Sequence, residues 1–468
     1  MIHLGVWLVL FGGGLLIWQR PVFASSLNVL GMLLIVMVSN AKFASLREPF
    51  LLADFRFFKA LLRHPRLYLP FFGVLPAIAF AIAFAGLGII ALRIEPSLWS
   101  QIGLAPLLVG CLILICLGAG LLRIGSRQNL PITLDPARDL QALGLVGSLV
   151  AYWQAEQRNP ARKVAANLPD SFHLRTATTD PPCLPHIVAV QCESFFDARR
   201  VVKDVSSDVL THFDALTKIS SRAGRLQVPA WGANTVRTEF AFLSGIAPPA
   251  LGIHRFNPYR HLARHGVPTL ASELKKQGYH TICVHPFSAK FYDRNEVFPA
   301  LGFDEFIDVT AFSPADKCGA YISDAVVAEK VSTILGTATA PLFIFVITME
   351  NHGPLHQERV ANGDVARLYA RPPPPGYDEF TIYLRHLQHT DAMLGVLYAA
   401  LRANKREGWL CAYGDHVPIL PGVYAANKFV DGMTDYFIVG TNTTDNIPCR
   451  QDLAPEDLAA CLLRQAGF

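Results

Sequence analysis

Four short stretches combine residue types that can carry phosphoryl chemistry: Cys192-Glu193-Ser194, Asn234-Thr235-Val236-Arg237, Asn351-His352-Gly353 and Tyr413-Gly414-Asp415-His416. A carboxylate, a hydroxyl and an adjacent Asp-His pair can gather around one divalent cation. The cation would lower the pKa of the hydroxyl and offset charge on a group under attack. Asp beside His suits manganese or zinc better than calcium, with magnesium a further candidate. The combination predicts a phospho-transfer enzyme whose nucleophile is a threonine.

Each piece alone also has a plainer reading. Glu193 follows the apolar run Val188-Ala189-Val190-Gln191-Cys192 and could be a solvated strand-end carboxylate. Thr235 reads as a helix N-cap, with Thr238 and Glu239 in the first turn. A helix start is also where backbone N–H groups and the macrodipole meet an incoming anion.

The elements that must position these residues alternate. Short apolar runs at 186–191, 279–284, 342–348, 409–413 and 436–440 predict strands, and the segments 235–243, 269–277, 322–335 and 380–403 predict helices. Such alternation predicts an α/β domain with a parallel sheet covered by helices on both faces. Ligands in such sheets bind at the carboxyl ends of the strands. Glu193, His285, His352 and Asp415 fall at or just past four of those ends.

The chain has 468 residues, 51% of them hydrophobic, and a mean hydropathy of +0.31. The apolar excess lies before residue 125, in stretches at 4–18, 22–38, 69–92 and 102–122 that approach or cross a hydrocarbon core of roughly 30 Å. The first lacks a basic flank and a convincing cleavage site, so it reads as a short membrane helix and not as a signal peptide. The segment 47–63 mixes aromatics with cations at helical spacing, which predicts an interfacial helix. Residues 1–125 are thus expected to form a membrane domain of about four helices, 126–183 a linker with helical pieces (139–154 the best), and 184–468 a catalytic domain.

Residues 1–125 hold nine Lys/Arg against three Asp/Glu, and the rest 32 against 34. The near-neutral remainder argues against a nucleic-acid partner. Cys192, Cys283 and Cys411 sit in strand-like runs and read as buried free thiols. Cys183, Cys318, Cys449 and Cys461 are disulfide candidates in an oxidising compartment, with the pairing open.

In their order, Gln191-Cys192-Glu193-Ser194-Phe195, Asn234-Thr235-Val236-Arg237-Thr238-Glu239-Phe240, Phe291-Tyr292-Asp293-Arg294, Asn351-His352-Gly353-Pro354 and Tyr413-Gly414-Asp415-His416 make a specific match. On these motifs the region from 184 to 468 resembles the lipoteichoic acid synthase and phosphoglycerol transferase family of the alkaline phosphatase and sulfatase superfamily. The resemblance implies a sulfatase-like α/β domain with a mixed, mainly parallel sheet. It implies that Glu193, Thr235, Asp415 and His416 bind one divalent metal, with Thr235 as nucleophile. Arg294, His285 and His352 would hold the phosphate or glycerol of the substrate, with His352 also a proton donor to the leaving alcohol. Tyr292 would form an aromatic wall where relatives often carry tryptophan. The implied donor is an anionic glycerophospholipid, the acceptor a glycan or polymer hydroxyl, and the place the plasma or inner membrane.

A sulfatase activity is disfavoured, because no Cys/Ser-x-Pro-x-Arg run stands at Thr235. A phosphoethanolamine transferase is the nearer rival, and a membrane-anchored binding module that lost its chemistry is the non-enzyme one. Topology is in conflict. Six Lys/Arg between Lys42 and Arg66 favour a cytoplasmic loop, which with four spans leaves both termini inside. The resemblance places the catalytic domain on the periplasmic or extracellular side, and that placement is preferred here.

Overall fold

The computed structural model describes residues 1–56, 74–127, 130–172, 184–442 and 449–468. They form two compact units, 1–160 and 161–468. Cys183 and residues 57–63 of the expected interfacial helix lie outside the described residues.

In the first unit the four apolar stretches form α1 (Ile2–Trp18), α2 (Pro21–Leu46), α3 (Val74–Ile94) and α4 (Leu104–Arg127). α2 and α4 are long and apolar enough to cross a membrane; α1 and residues 78–91 of α3 are shorter apolar helices. α1 and α4 meet along small residues. A Cβ on Gly118 would come within 2.8 Å of the Gly5 carbonyl oxygen, and one on Gly12 within 2.9 Å of Ile115. Such seams allow close helix approach where no hydrophobic force acts between lipid-exposed helices.

Residues 47–56 do not continue as one interfacial helix. α2 ends at a left-handed Arg47, and a short 3-10 turn follows at Leu52–Arg56. Lys42 is bound there by Glu48 (2.8 Å) and Asp54 (2.6 Å), so part of the local positive charge is neutralised. The division between the units falls inside the stretch expected to be linker. α5 (Pro136–Arg158) spans the predicted helical piece, is capped by Asp135 and kinks at Gly144, whose backbone lies against His3 of α1.

The second unit is built on an eight-stranded sheet of order β10-β2-β9-β8-β1-β7-β3-β4, with a separate hairpin β5-β6. The strands are β1 (His186–Cys192), β2 (Arg222–Leu226), β3 (His280–Val284), β4 (Glu305–Ile307), β5 (Lys317–Cys318), β6 (Tyr321–Ile322), β7 (Leu342–Ile347), β8 (Gly408–Gly414), β9 (Thr434–Gly440) and β10 (Cys449–Arg450). β9 runs antiparallel to both neighbours and the other pairings in the sheet are parallel. The sheet is therefore mixed and mainly parallel.

Alternating side chains feed two cores. Val188, Val190 and Cys192 of β1 face one, packed by α6 (Thr211–Ile219), α10 (Asp324–Thr337) and α11 (Asp378–Ala403). Ile187 and Ala189 face the other, packed by α7 (Thr235–Ser244), α8 (Leu270–Lys276), α9 (Arg294–Ala300) and α12 (Pro455–Gln465). Burial on both faces is what makes these strands read as continuous apolar runs. Cys192, Cys283 and Cys411 are buried free thiols; Cys318, Cys449 and Cys461 are also free, so no disulfide joins these three candidates among the described residues.

β1 and β8 pair in parallel with Cys192 level with Gly414, so Glu193 and Asp415 leave adjacent strands at the same height. Close approach at Gly414 sets this level: a Cβ there would collide with the carbonyl oxygen of Phe195. Gly414→Ala is expected to cost about 1–3 kcal/mol by overpacking. Thermal unfolding of the full chain in detergent should show a lowered midpoint, and an unchanged midpoint would contradict the close packing.

Candidate active site

Glu193, Asp415 and His416 converge beyond the ends of β1 and β8, and all three are buried. Asp415 Oδ1 accepts the backbone N–H groups of Ser194 and His416, each at 2.8 Å. Its Oδ2 has no hydrogen-bond partner among the described residues. Ser194 Oγ donates to Glu193 Oε1 at 2.8 Å. His416 Nδ1 lies 3.1 Å from the Val417 carbonyl, which fixes the proton on that nitrogen. The Nε2 lone pair then faces Asp415 Oδ2 at 3.3 Å and Glu193 Oε1 at 3.6 Å.

Three acceptors thus meet in a buried space, where the described residues supply one donor, the Ser194 hydroxyl on Glu193. Buried polar atoms left this way are costly, and a divalent cation relieves the cost. Two carboxylates and one imidazole are also a donor set that zinc or manganese accepts. The residues present fit a metal. Burial first, and the charge of Asp415 second, push the Glu193 carboxyl up to about 8, while His416 and the Ser194 hydrogen bond pull the other way.

Thr235 is the first residue of α7 and not its N-cap, as the sequence had suggested. The cap position belongs to Asn234, in a left-handed conformation (φ 66°) with no side-chain cap bond. The Thr235 hydroxyl is therefore not spent on capping. One turn later, Thr238 Oγ1 donates to the Asp415 carbonyl at 2.8 Å. Residues three apart share a helix face, so this bond turns the Thr235 side of α7 toward the Asp415 loop.

Arg294 is fully buried and forked onto Glu239, with Nη2 to Oε2 at 2.8 Å and Nε to Oε1 at 3.3 Å. Glu239 also accepts from Tyr259 Oη (2.6 Å) and Gln191 Nε2 (3.3 Å). The Arg294 guanidinium lies 5.3 Å from the Tyr292 ring centre, a cation–π contact. His285 differs from expectation. Its Nδ1 bonds the Ile347 carbonyl at 3.1 Å and its Nε2 faces Arg294 Nη1 at 3.3 Å. Burial and the Arg294 charge hold it well below the usual histidine value, so it is a neutral acceptor that orients Arg294, with neither nitrogen turned to a ligand.

His352 is half-buried. Its Nδ1 bonds the Gly353 carbonyl (2.6 Å) and lies 3.2 Å from Tyr321 Oη, and no partner engages Nε2 among the described residues. The neighbouring Asn351 is buried with both amide atoms unpartnered. Ser194, Asn234, Tyr292 and Asp293 all hold left-handed φ values of 55°, 66°, 57° and 55°. Each costs on the order of 1 kcal/mol or more, and such strain collects at functional sites.

Sequence reasoning missed the parts played by Glu239 and Tyr321. Glu239 had a signal, as a carboxylate inside the Thr235 motif; Tyr321 comes from a two-residue strand and had none.

Two outcomes follow. Arg294→Ala leaves Glu239 buried without its counter-charge, a loss of about 3–5 kcal/mol. Adding Glu239→Gln should restore much of the melting temperature and none of the activity; an active double variant would contradict the placement of Arg294. The second concerns pH. An unfolded Glu193 ionises near 4.5, whereas the folded metal-free group keeps its proton to about 8. In that window the unfolded state binds fewer protons, so metal-free stability falls as pH rises. Stabilisation by added Mn²⁺ should therefore grow from pH 5 to pH 8 in thermal melts, and not in Glu193→Gln. A pH-independent gain would contradict this.

Comparison with known proteins places these features in a family. The chain is 29% identical over 487 residues to the capsular polysaccharide biosynthesis protein RkpI of Rhizobium meliloti (strain 1021), covering 98% of this chain and 86% of the relative. The fold resembles that of Streptococcus pyogenes phosphoglycerol transferase GacH in complex with sn-glycerol-1-phosphate (TM-score 0.50, 24% identity, 67% of this chain and 80% of that one). It also resembles the integral membrane lipooligosaccharide phosphoethanolamine transferase A of Neisseria meningitidis (TM-score 0.53, 14% identity, 92% and 82%). The sulfatase family model matches residues 185–466, more than half of the sequence, and with this match the chain belongs to the sulfatase family.

Proposed function

We propose that this chain is a membrane-anchored, metal-dependent transferase. It moves a phosphoglycerol group from an anionic glycerophospholipid to a hydroxyl of a glycan or polymer, through a phosphothreonine at Thr235. One observation carries the reading: buried acceptors of Glu193, Asp415 and His416 meet, Asp415 Oδ2 among them without a partner among the described residues, and Thr238 ties their loop to the helix whose first residue is Thr235.

Glu193, Asp415, His416 and the Thr235 hydroxyl would hold the metal. When bound, it supplies Lewis-acid charge that lowers the hydroxyl pKa and offsets negative charge on the phosphoryl oxygens. Thr235 Oγ attacks phosphorus at the N-terminus of α7, where backbone N–H groups favour an anion. Arg294, held by Glu239 and oriented by His285, grips the phosphoryl oxygens. The bond from phosphorus to the diacylglycerol oxygen breaks, and the proton that Thr235 Oγ gives up passes by way of His352 Nε2 to that oxygen. In the second step His352 Nε2 takes the proton of the acceptor hydroxyl as that hydroxyl displaces Thr235, and the proton returns to Thr235 Oγ. Tyr292 packs beneath Arg294 and walls the glycerol side.

The glycan acceptor is supported by the relative named for capsular polysaccharide biosynthesis. A threonine in place of a Cys/Ser-x-Pro-x-Arg run speaks against sulfate-ester cleavage. The reading sets the chain in the plasma or inner membrane as a multi-pass protein with the catalytic unit on the outer side, where lipid donor and glycan meet. Neighbours of both donor types share the fold, so the donor is decided by assay. The metal-loaded chain in detergent should release diacylglycerol from phosphatidylglycerol and not from phosphatidylethanolamine. Thr235→Ala should lower release at least 1,000-fold, on the scale of losing a covalent nucleophile. Full release by Thr235→Ala, or preference for phosphatidylethanolamine, would overturn the mechanism or the donor respectively.

A further inference from the structure

A second group of metal-capable side chains lies outside the site just described, formed by Cys318, Glu350, His386 and His389. They come from three separate elements: β5, the turn after β7 and α11. His386 and His389 are three apart in α11 and so share one helix face. Glu350 Oε1 lies 2.8 Å from His386 Nδ1 and 2.5 Å from His389 Nδ1, and Cys318 Sγ lies 3.8 Å from His389 Nδ1. One ligand atom from each residue falls within 4.8 Å of every other.

Among the described residues the hydrogen bonds here close only with an extra proton on each ring, in the places a metal ion would take. His386 Nε2 lies 3.1 Å from both oxygens of Glu358, and Glu358 is held by Arg385 at 2.7 Å. This assigns the Nε2 proton to Glu358, so in the neutral ring Nδ1 turns a lone pair toward the lone pairs of Glu350. His389 Nδ1 meets a carboxylate oxygen and a sulfur together, so nitrogen, oxygen and sulfur gather at one point. Glu350 Oε2 is already occupied by the Asp324 backbone N–H at 2.7 Å, which aims Oε1 at the two rings. Asp324 itself is fully buried, close enough for its charge to act on Glu350, His386 and His389, and its Oδ1 has no partner among the described residues. Glu350 and His386 are buried as well, so bound protons or a cation, and not solvent, satisfy these facing atoms.

We propose that Cys318, Glu350, His386 and His389 form a second metal site that takes a zinc-type cation. Sulfur, two imidazole nitrogens and a carboxylate oxygen are a tetrahedral set for zinc, whose ligand atoms sit about 3.3–3.8 Å apart for bonds of about 2.0–2.3 Å. Small rotations of the Glu350 carboxylate and the Cys318 side chain complete that shell. The His386–Glu358 pair supplies the carboxylate partner that orients a metal-bound imidazole. Binding displaces the Cys318 thiol proton and any proton shared between Glu350 and the two rings. The site clasps the β5-β6 hairpin and α11 to the turn that carries Asn351 and His352. Tyr321 of that hairpin bonds the Gly353 carbonyl at 3.0 Å and lies 3.2 Å from His352 Nδ1, so the clasp positions His352 without touching substrate.

The site stands whatever donor the enzyme uses, and the test keeps the two metals apart. The full chain, purified in detergent and equilibrated with zinc, is analysed for metal after removal of excess. Wild type should hold one more equivalent than the His386→Ala, His389→Ala double variant, and Asp415→Ala should keep the clasp metal. Cobalt-loaded wild type should show a near-ultraviolet thiolate-to-cobalt band that Cys318→Ser abolishes, a readout available even where the double variant does not fold. Equal metal content in wild type and double variant, or a cobalt spectrum unchanged by Cys318→Ser, overturns the proposal and leaves a hydrogen-bonded His-Glu cluster.

Discussion

The organisation of the catalytic unit follows from one electrostatic constraint: two carboxylates and an imidazole are buried together, and where they face one another only the Ser194 hydroxyl donates among the described residues. Asp415 Oδ2 is left without a hydrogen bond while Oδ1 is fully used, and His416 turns its bare Nε2 to the same point. Unrelieved, such a group drives proton uptake, which is the state of Glu193 with its carboxyl pushed up. A divalent cation is the other resolution, and bound there it would give the cluster a charge that an anionic group could approach.

The surrounding structure holds that constraint in place. The level pairing of Cys192 with Gly414 brings the two carboxylates out side by side, and Thr348 and Tyr383 brace the Glu193-Ser194 turn through its backbone. On the opposite side, the buried Arg294–Glu239 pair is satisfied by Tyr259, Gln191 and His285. A buried pair is weak evidence for stability, because desolvation offsets its attraction. Its use here is to hold a guanidinium rigid and preorganised, which is how electrostatic catalysis avoids reorganisation during the reaction.

Much of this was legible in the sequence, for identifiable reasons. Strands buried on both faces write themselves as unbroken apolar runs, so β1, β3, β7, β8 and β9 were visible. β2 was not, since Arg222-Ala-Gly-Arg-Leu226 carries two arginines, and β4, β5, β6 and β10 are too short to show a period. The metal-capable residues were legible because strand ends concentrate ligands. The roles of His285 and Glu239 were not, because they depend on which atom of a neighbour each side chain meets. Thr235 was misread as a cap because Asn234 takes a left-handed conformation that local propensity does not announce. Cys318, His386 and His389 carried no signal as a group, being brought together by tertiary packing of a hairpin on a helix.

The central claim is that the Thr235 hydroxyl becomes covalently phosphorylated. Mass spectrometry of acid-quenched, metal-loaded protein mixed with phosphatidylglycerol and no acceptor tests it most directly. The account predicts a glycerophosphoryl adduct on Thr235 that disappears when an acceptor hydroxyl is supplied. Turnover of donor with an unmodified Thr235, or with the adduct on another residue, would contradict it.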